Sequence, residues 1–400
     1  MIGPVINQGS AGHVLSLVRS GMANTRPELA RLTGISRSAV AMRVDTLSDA
    51  GLVVEDGSAE STGGRRATYL RFAHDSGVVL VADLDITVAR LAVTDLAGSV
   101  IATRTEEQSM AIGPMRYLDW MVEVLETLLT EVGHTGAEIR GIGLGLPGPV
   151  EHATGRAIAP PSMPGWDDFP VADHLQERFG VPVVVDNDVN LMAWGEYTAL
   201  WRHEASNFLF IKVAEAGVGC GIVAAGRIHH GAQGSAGAIG HIRVPGYEDW
   251  VCRCGNAGCL GAAVGGEAIA KRLREQGHDV ENGQEVAALA LAGELDAIQE
   301  VRACGRALGE VIAGIVNFFN PEVIVVGGEV ARAHEQLIAG LREVVYQRCL
   351  PLATRDLRLV PSSLGSTAGI SGAAAMTIDR ALAPGAVDEL LSATAVESVS

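Results

Sequence analysis

Over the first fifty residues, apolar side chains recur at helical spacing in three short runs. Residues 8–21 set Val14, Leu15, Leu17 and Val18 on one side and stop at Gly21, which predicts a first helix. Thr25-Arg-Pro-Glu28 has the form of a capping box with proline in the first turn, and the helix it opens carries Leu29, Ala30 and Leu32 as far as Gly34. Ser36 caps a third helix, with Val40, Val44 and Leu47 in period and Ala50-Gly51 as its stop. Two strand-like runs at 52–54 and 67–70 follow, joined by a polar loop that contains Gly63-Gly64-Arg65-Arg66. Helix, glycine turn, helix and hairpin is the order of a winged helix-turn-helix, and it assigns residues 1–75 to a DNA-binding domain.

From residue 76 the period changes to strands alternating with helices. Apolar runs at 78–82, 89–94, 141–146, 183–185, 208–213, 220–224 and 323–326 read as strands. Stretches near 115–132, 265–275 and 296–317 read as helices. The fold class is α/β, with one large domain over 76–383. Residues 384–400 are small, polar and acidic, and are expected to be a disordered tail.

Charge refines the division. The chain carries −17, yet residues 1–75 hold eight arginines against seven acids, so they are +1 and the remainder is −18. Only the N-terminal unit can approach DNA without strong repulsion. No apolar run reaches membrane-spanning length and no basic-then-apolar leader opens the chain, so a cytoplasmic protein is expected.

In a winged helix-turn-helix the third helix enters the major groove with its first exposed residues toward base edges. Here those are Arg37, Ser38 and either Val40 or Ala41, with Arg43 one turn on. Arginine pairs with guanine through two hydrogen bonds, so Arg37 and Arg43 are the leading base contacts. Arg65 and Arg66, after two glycines at the wing tip, suit phosphates or a narrow minor groove.

Three of the six cysteines crowd into eight residues. Gly240-His241 followed by Cys252-Arg-Cys254-Gly-Asn-Ala-Gly-Cys259 supplies one imidazole and three thiolates, the donor set of a closed structural Zn2+ site. The ligands expected are His241, Cys252, Cys254 and Cys259. Cys220, Cys304 and Cys349 are scattered and read as core residues.

Taken in order, several motifs make the chain resemble the ROK family of repressors, open reading frames and sugar kinases. They are Asp83-x-x-x-Thr87 with Asp95, Gly143-x-Gly145-x-Pro147-Gly148, Asp186-Asn187-Asp188-Val-Asn190, Gly240-His241 with the cysteine knuckle, and Pro321-Glu-Val-Ile-Val-Val-Gly327-Gly328. The resemblance implies a two-lobed, actin-like ATPase fold with a sugar in the cleft. It also implies effector or sugar contacts from Asn187, Asp188 and His241, and Asp188 as the base of a kinase.

Departures from the kinase pattern point away from phosphoryl transfer. The first phosphate loop of family kinases reads D-x-G-G-T, whereas this chain has Asp83-Leu-Asp85-Ile86-Thr87, a carboxylate and a branched side chain where backbone must meet phosphate. The second, G-T-G-I-G in the kinases, reads Glu215-Ala216-Gly217-Val218-Gly219. Two glutamates that would accept sugar hydroxyls are replaced by Ala238 and Gly261. Asp188 is therefore read as a vestigial or ligand-contacting residue and the protein as not an enzyme.

The reading that follows is a transcriptional regulator, a repressor of sugar-related or other metabolic genes. It binds a pseudo-palindromic operator as a homodimer or larger homo-oligomer, with a sugar or phosphosugar as effector. The alternatives are an active sugar kinase with an accessory DNA domain, and a constitutive DNA-binding protein whose second half is a scaffold.

Overall fold

The computed structural model describes residues 9–58, 68–160 and 162–397. The N-terminal unit comprises α1 (Ala11–Arg19), α2 (Arg26–Thr33), α3 (Arg37–Asp49) and an antiparallel pair, β1 (Val53–Ser58) and β2 (Thr68–Phe72). Each helix starts at a hydroxyl cap: Ser10 accepts from the His13 N–H, Thr25 from Glu28 and Ser36 from Ala39. Gly34, at φ 73°, closes α2 in the left-handed conformation and lets the chain turn directly into α3. Val14, Leu15, Leu29, Val40, Val44 and Leu47 form the core that the helical period foretold. Val40 is fully buried, which corrects the expectation that it shares the outward face of α3 with Ala41.

The large domain is two lobes of the same topology. In the first, β3 (Val78–Leu84), β4 (Val88–Asp95) and β5 (Val100–Glu107) form an antiparallel meander. After α4 (Pro114–Glu131), β6 (Ile139–Leu146) lies parallel to β3. A small hairpin of β7 (Val150–Glu151) and β8 (Arg156–Ala157) and then α5 (Val171–Phe179) lead to β9 (Val183–Asn187), so the sheet order is β5-β4-β3-β6-β9. The crossing to the second lobe is α6 (Asp188–Glu196), extended by a π-helical turn at Tyr197–Trp201.

The second lobe repeats the plan. Strands β10 (Phe208–Val213), β11 (Val218–Ala224) and β12 (Arg227–Ile228) are an antiparallel meander. Four helices follow: α7 (Leu260–Val264), α8 (Gly266–Glu275), α9 (Gly283–Leu291) and α10 (Leu295–Phe319). Then come β13 (Val323–Gly327), α11 (His334–Arg348), α12 (Pro351–Thr354) and β14 (Arg358–Pro361), in the order β12-β11-β10-β13-β14. Helix α13 (Ala368–Ala381) returns to the first lobe. It packs on β3 and β6 while α6 packs on β10 and β11, so this helix pair is the layer between the two sheets. The two helices touch backbone to backbone: a Cβ on Gly372 would collide with the Leu191 carbonyl, and one on Gly195 with that of Ala368.

The expected disordered tail is instead α14 (Pro384–Glu397). Val387 is its fully buried anchor, and Asp388 Oδ1 accepts a 2.9 Å hydrogen bond from the Gly12 N–H at the start of α1. A single cluster of buried residues therefore runs from Val14 and Leu47 through Val387, Ile378 and Ala374 to Val79 and Val81 of the first sheet. Among the described residues no helix is long and apolar enough to cross a membrane.

Candidate functional site

Strands β3, β6 and β9 of the first lobe point their carboxyl ends toward the interlobe cleft, where open α/β sheets place ligands. The β9-to-α6 turn carries Asp186, Asn187 and Asp188. Asn187 is spent on the fold: its Oδ1 caps α6 by accepting from the Val189 N–H, and its Nδ2 donates to the Gly148 carbonyl at 2.8 Å. It still lines the cleft. The Gly143-to-Gly148 motif and the Asp186-to-Asn190 motif thus meet through Asn187, as their shared presence in one fold requires. Asp95 lies at the other end of β4, where its Oδ1 accepts from Ala97 and Ser99 and its Oδ2 pairs with His74; it is a turn residue.

Asp188 is buried and faces a cation that the sequence motifs do not include. Lys212, from β10 of the opposite lobe, places Nζ 2.7 Å from Asp188 Oδ2 and 3.0 Å from Asp85 Oδ2. Burial works against the ammonium, but the carboxylates of Asp188, Asp85, Glu329 and Asp83 hold its pKa well above the usual lysine range. Burial pushes Asp188 up against the pull of Lys212, and it pushes neighbouring Asp83 up to about 6. Asp85 stays below its ordinary value because Lys212 outweighs its burial.

This bridge stands between two cavities. One, of about 590 Å³, is lined by Asn187, Asp188, His241, Trp250 and Arg253; the other, of about 870 Å³, by Asp83, Thr87, Gly327 and Gly328; Asp85, Lys212 and Glu215 border both. Ile86 packs against the first-lobe core and Asp85 folds back to accept from the Ile86 N–H, so the loop that holds phosphate in kinases is closed on itself. Glu215 turns its carboxylate to the start of α9, where it accepts from the Gly283 N–H at 2.6 Å, and adds an acid to the lining of both cavities. Glu285 and Glu329 add further negative charge to the larger cavity, against Arg90, Lys212 and Arg332. Ala238 and Gly261 border the smaller cavity, and Gly261 packs so close to Gly217 that an added Cβ would lie 3.2 Å from its Cα.

The cysteine knuckle closes the outer side of the smaller cavity. His241 Nδ1 lies 3.7 Å from Cys252 Sγ, and Cys254 Sγ lies 3.8 Å from Cys259 Sγ. The four donor atoms lie within 4.8 Å of one another. A tetrahedral zinc with bonds of about 2.3 Å to sulfur needs edges of about 3.8 Å, so the donor set fits that ion. Cys254 is drawn down to about 6 by the Asn256 N–H and by Cys252, while burial pushes Cys259 up to about 12. Arg253, between Cys252 and Cys254 in the knuckle, donates to Glu267 at 2.7 Å and reaches Ser162 of the other lobe at 3.4 Å.

At the opposite end of the molecule the first turn of α3 is free. Arg37 and Ser38 are exposed, the latter sharing a 3.0 Å contact with the Ser36 hydroxyl. Arg43 is half-buried and donates Nε to the Gly9 carbonyl at 3.1 Å, so it braces the approach to α1. Arg65 and Arg66 lie outside the described residues. Cys220, Cys304 and Cys349 are buried, as expected of core residues.

The ROK family model matches residues 81–380. A xylose repressor of Caldicellulosiruptor bescii is 29% identical over 91% of this chain and 94% of its own. A glucokinase of Halalkalibacterium halodurans is 32% identical, but over 72% of this chain and 92% of its own. The crystal structure of a ROK family transcriptional regulator, a homolog of the E. coli MLC protein, superposes with a TM-score of 0.80 at 26% identity, covering 96% of this chain and 99% of that one. The repeated lobes are the actin-like ATPase architecture, and with the motifs gathered at their cleft and the match running through both of them, the chain belongs to the ROK family.

Proposed function

We propose that this protein is a DNA-binding transcriptional repressor of sugar-related genes in which the kinase-like half no longer transfers phosphate. The observation that carries the reading is the union of an exposed α3 tip, Arg37 and Ser38, with a cleft in which Asp188, at the position of the kinase base, is paired with Lys212 from the facing lobe. A base must accept a proton from a hydroxyl, and a carboxylate bound to a buried ammonium is a poor acceptor. Asp85 and Lys212 of the same bridge line both cavities, and the acids of the larger cavity repel a triphosphate. Full-length likeness to a xylose repressor, against partial likeness to a glucokinase, supports the same conclusion.

In this reading the N-terminal unit is a winged helix-turn-helix: Arg37 and Ser38 read base edges, Arg43 orients α3, and Arg65 and Arg66 contact the backbone or minor groove. Zn2+ held by His241, Cys252, Cys254 and Cys259 is structural, and it fixes the imidazole of His241 at the wall of the effector cavity. A sugar or phosphosugar there meets Asn187, Asp188 and His241. Movement of the Asn187-Asp188 turn is transmitted through α6 to α13 and so to α1, which shares its buried core. The protein acts as a homodimer or larger homo-oligomer; Phe318 and Leu352, exposed at 92% and 77% beside Leu350, give α10 and α12 an apolar end suited to a second copy.

The test is capture of fragmented genomic DNA by the full-length protein, with sequencing, in wild type and Arg37→Ala. A two-fold-symmetric site enriched by wild type and lost in the variant is expected; no enriched site, together with ADP release on any sugar that Asp188→Asn abolishes, would establish a kinase instead.

A further inference from the structure

At the Asp186-Asn187-Asp188 turn, two histidines converge on one buried carboxylate. Asp186 is 1% exposed. Its Oδ1 is saturated from within its own turn, accepting from the Asn187 N–H at 2.7 Å and from Asn190 Nδ2 at 2.8 Å. Its Oδ2 faces His230 Nε2 at 2.6 Å and His152 Nδ1 at 3.5 Å. The two imidazoles are stacked, with centroids 3.7 Å apart and planes 13° from parallel; because ring lone pairs lie in the ring planes, His152, the more exposed of the two, must turn out of the stack to share an ion with His230. His230 occupies one lone pair of Oδ2. The nitrogen of His152 is a further donor at the limit of hydrogen-bond distance, on a side chain that is half open to water.

We propose that His152, Asp186 and His230 form a second metal site, separate from the cysteine knuckle, for a divalent first-row cation of the zinc, cobalt and nickel class. Two neutral imidazoles with one carboxylate select that class over magnesium or calcium, which take all-oxygen shells. On one ion with bonds of about 2.1 Å, donor atoms stand about 3.0–3.4 Å apart, a spacing bracketed by the two distances at Oδ2. Pairing of Oδ1 with two N–H groups leaves Asp186 a one-oxygen ligand already oriented by its neighbours. Water reaches the site past His152, so three protein ligands and solvent complete the shell. His152 sits in the β7–β8 turn and Asp186 on β9 of the first lobe, while His230 follows β12 of the second. The ion thus joins the two lobes directly beneath the turn that carries Asn187 and Asp188. This site does not depend on whether the cleft binds an effector or the α3 tip binds DNA.

The test is titration of cobalt(II) into the full-length, zinc-loaded protein, followed by visible absorption, equilibrium dialysis and zinc release. One cobalt per chain beyond the knuckle zinc is expected, with ligand-field bands, no thiolate-to-cobalt charge transfer and no zinc released. His230→Gln keeps an N–H for Asp186 and removes the imidazole; it and His152→Gln are each expected to weaken this cobalt at least about 10-fold while leaving the metal-free melting temperature within a few degrees of wild type. Absence of the additional cobalt, its binding with a thiolate band and displaced zinc, or its persistence unchanged in both variants would overturn the site.

Discussion

Lys212 and Asp188 meet across the cleft with 2.7 Å between ammonium and carboxylate, and their side chains are only 10% and 6% exposed. One comes from β10 of the second lobe and the other from the start of α6 below the first, so the pair ties the lobes together as well as setting the charge of the cleft. Removing the cation strands Asp188 and Asp85 as neighbouring buried acids. Lys212→Met is expected to cost about 3–5 kcal/mol, measured as a fall in the urea midpoint; Lys212→Met with Asp188→Asn and Asp85→Asn should regain most of that loss. A single variant as stable as wild type would mean the bridge contributes little.

Asp83 gives the cleft a pH signature. Its folded-state pKa, raised by burial from 3.8 to about 6, lies above its unfolded value, so the folded protein holds this proton more tightly. Stability from this group is present below about pH 4 and is lost as pH rises through about 6, a span of about 3 kcal/mol. Asp83→Asn should flatten that part of the stability profile; equal slopes from pH 4 to 6 in wild type and variant would contradict the assignment.

How much of this was legible beforehand depended on sequence distance. The three N-terminal helices and the knuckle are written in residues within a few positions of one another, and caps such as Ser36 with Ala39 are local chemistry. Lys212 and Asp85 are 127 residues apart, and nothing in the period of β10 distinguishes a lysine that pairs from one that points to solvent. The two lobes follow from the family resemblance and not from periodicity, which leaves β5 and β14 unread: β5 is an edge strand with an exposed face, and β14 has four residues. Helix α14 was mistaken for a tail because its burial rests largely on Val387 rather than on a full apolar stripe.

Removing a thiolate from the cysteine knuckle should act locally at first. Cys254→Ser is expected to leave less than one zinc per chain by elemental analysis and to make residues 241–259 sensitive to protease, while the helices of the N-terminal unit stay folded. A folded knuckle in metal-free protein, with unchanged protease resistance, would count against a zinc role.

Gly12 is the point where α1 admits the chain of α14, for a Cβ there would collide with the Pro384 carbonyl. Gly12→Ala should displace α14, costing about 1–3 kcal/mol through overpacking and exposing the C-terminus to carboxypeptidase. Arg19→Ala, which removes only the exposed ion pair with Asp379, should change stability by less than about 1 kcal/mol. Similar effects of the two would show that the glycine contact is not the one that matters.

The core shared by α1, α13 and α14 also decides how these proteins can be recombined. A chimera cut at residue 75 would separate Val14 and Leu15 from Val387 and Ile378, leaving two raw apolar faces where one sealed interior stood. The N-terminal unit is therefore not a bead on a string. Its transplantable unit consists of both ends of the chain, and a new specificity is best installed by carrying the last two helices along with the first three.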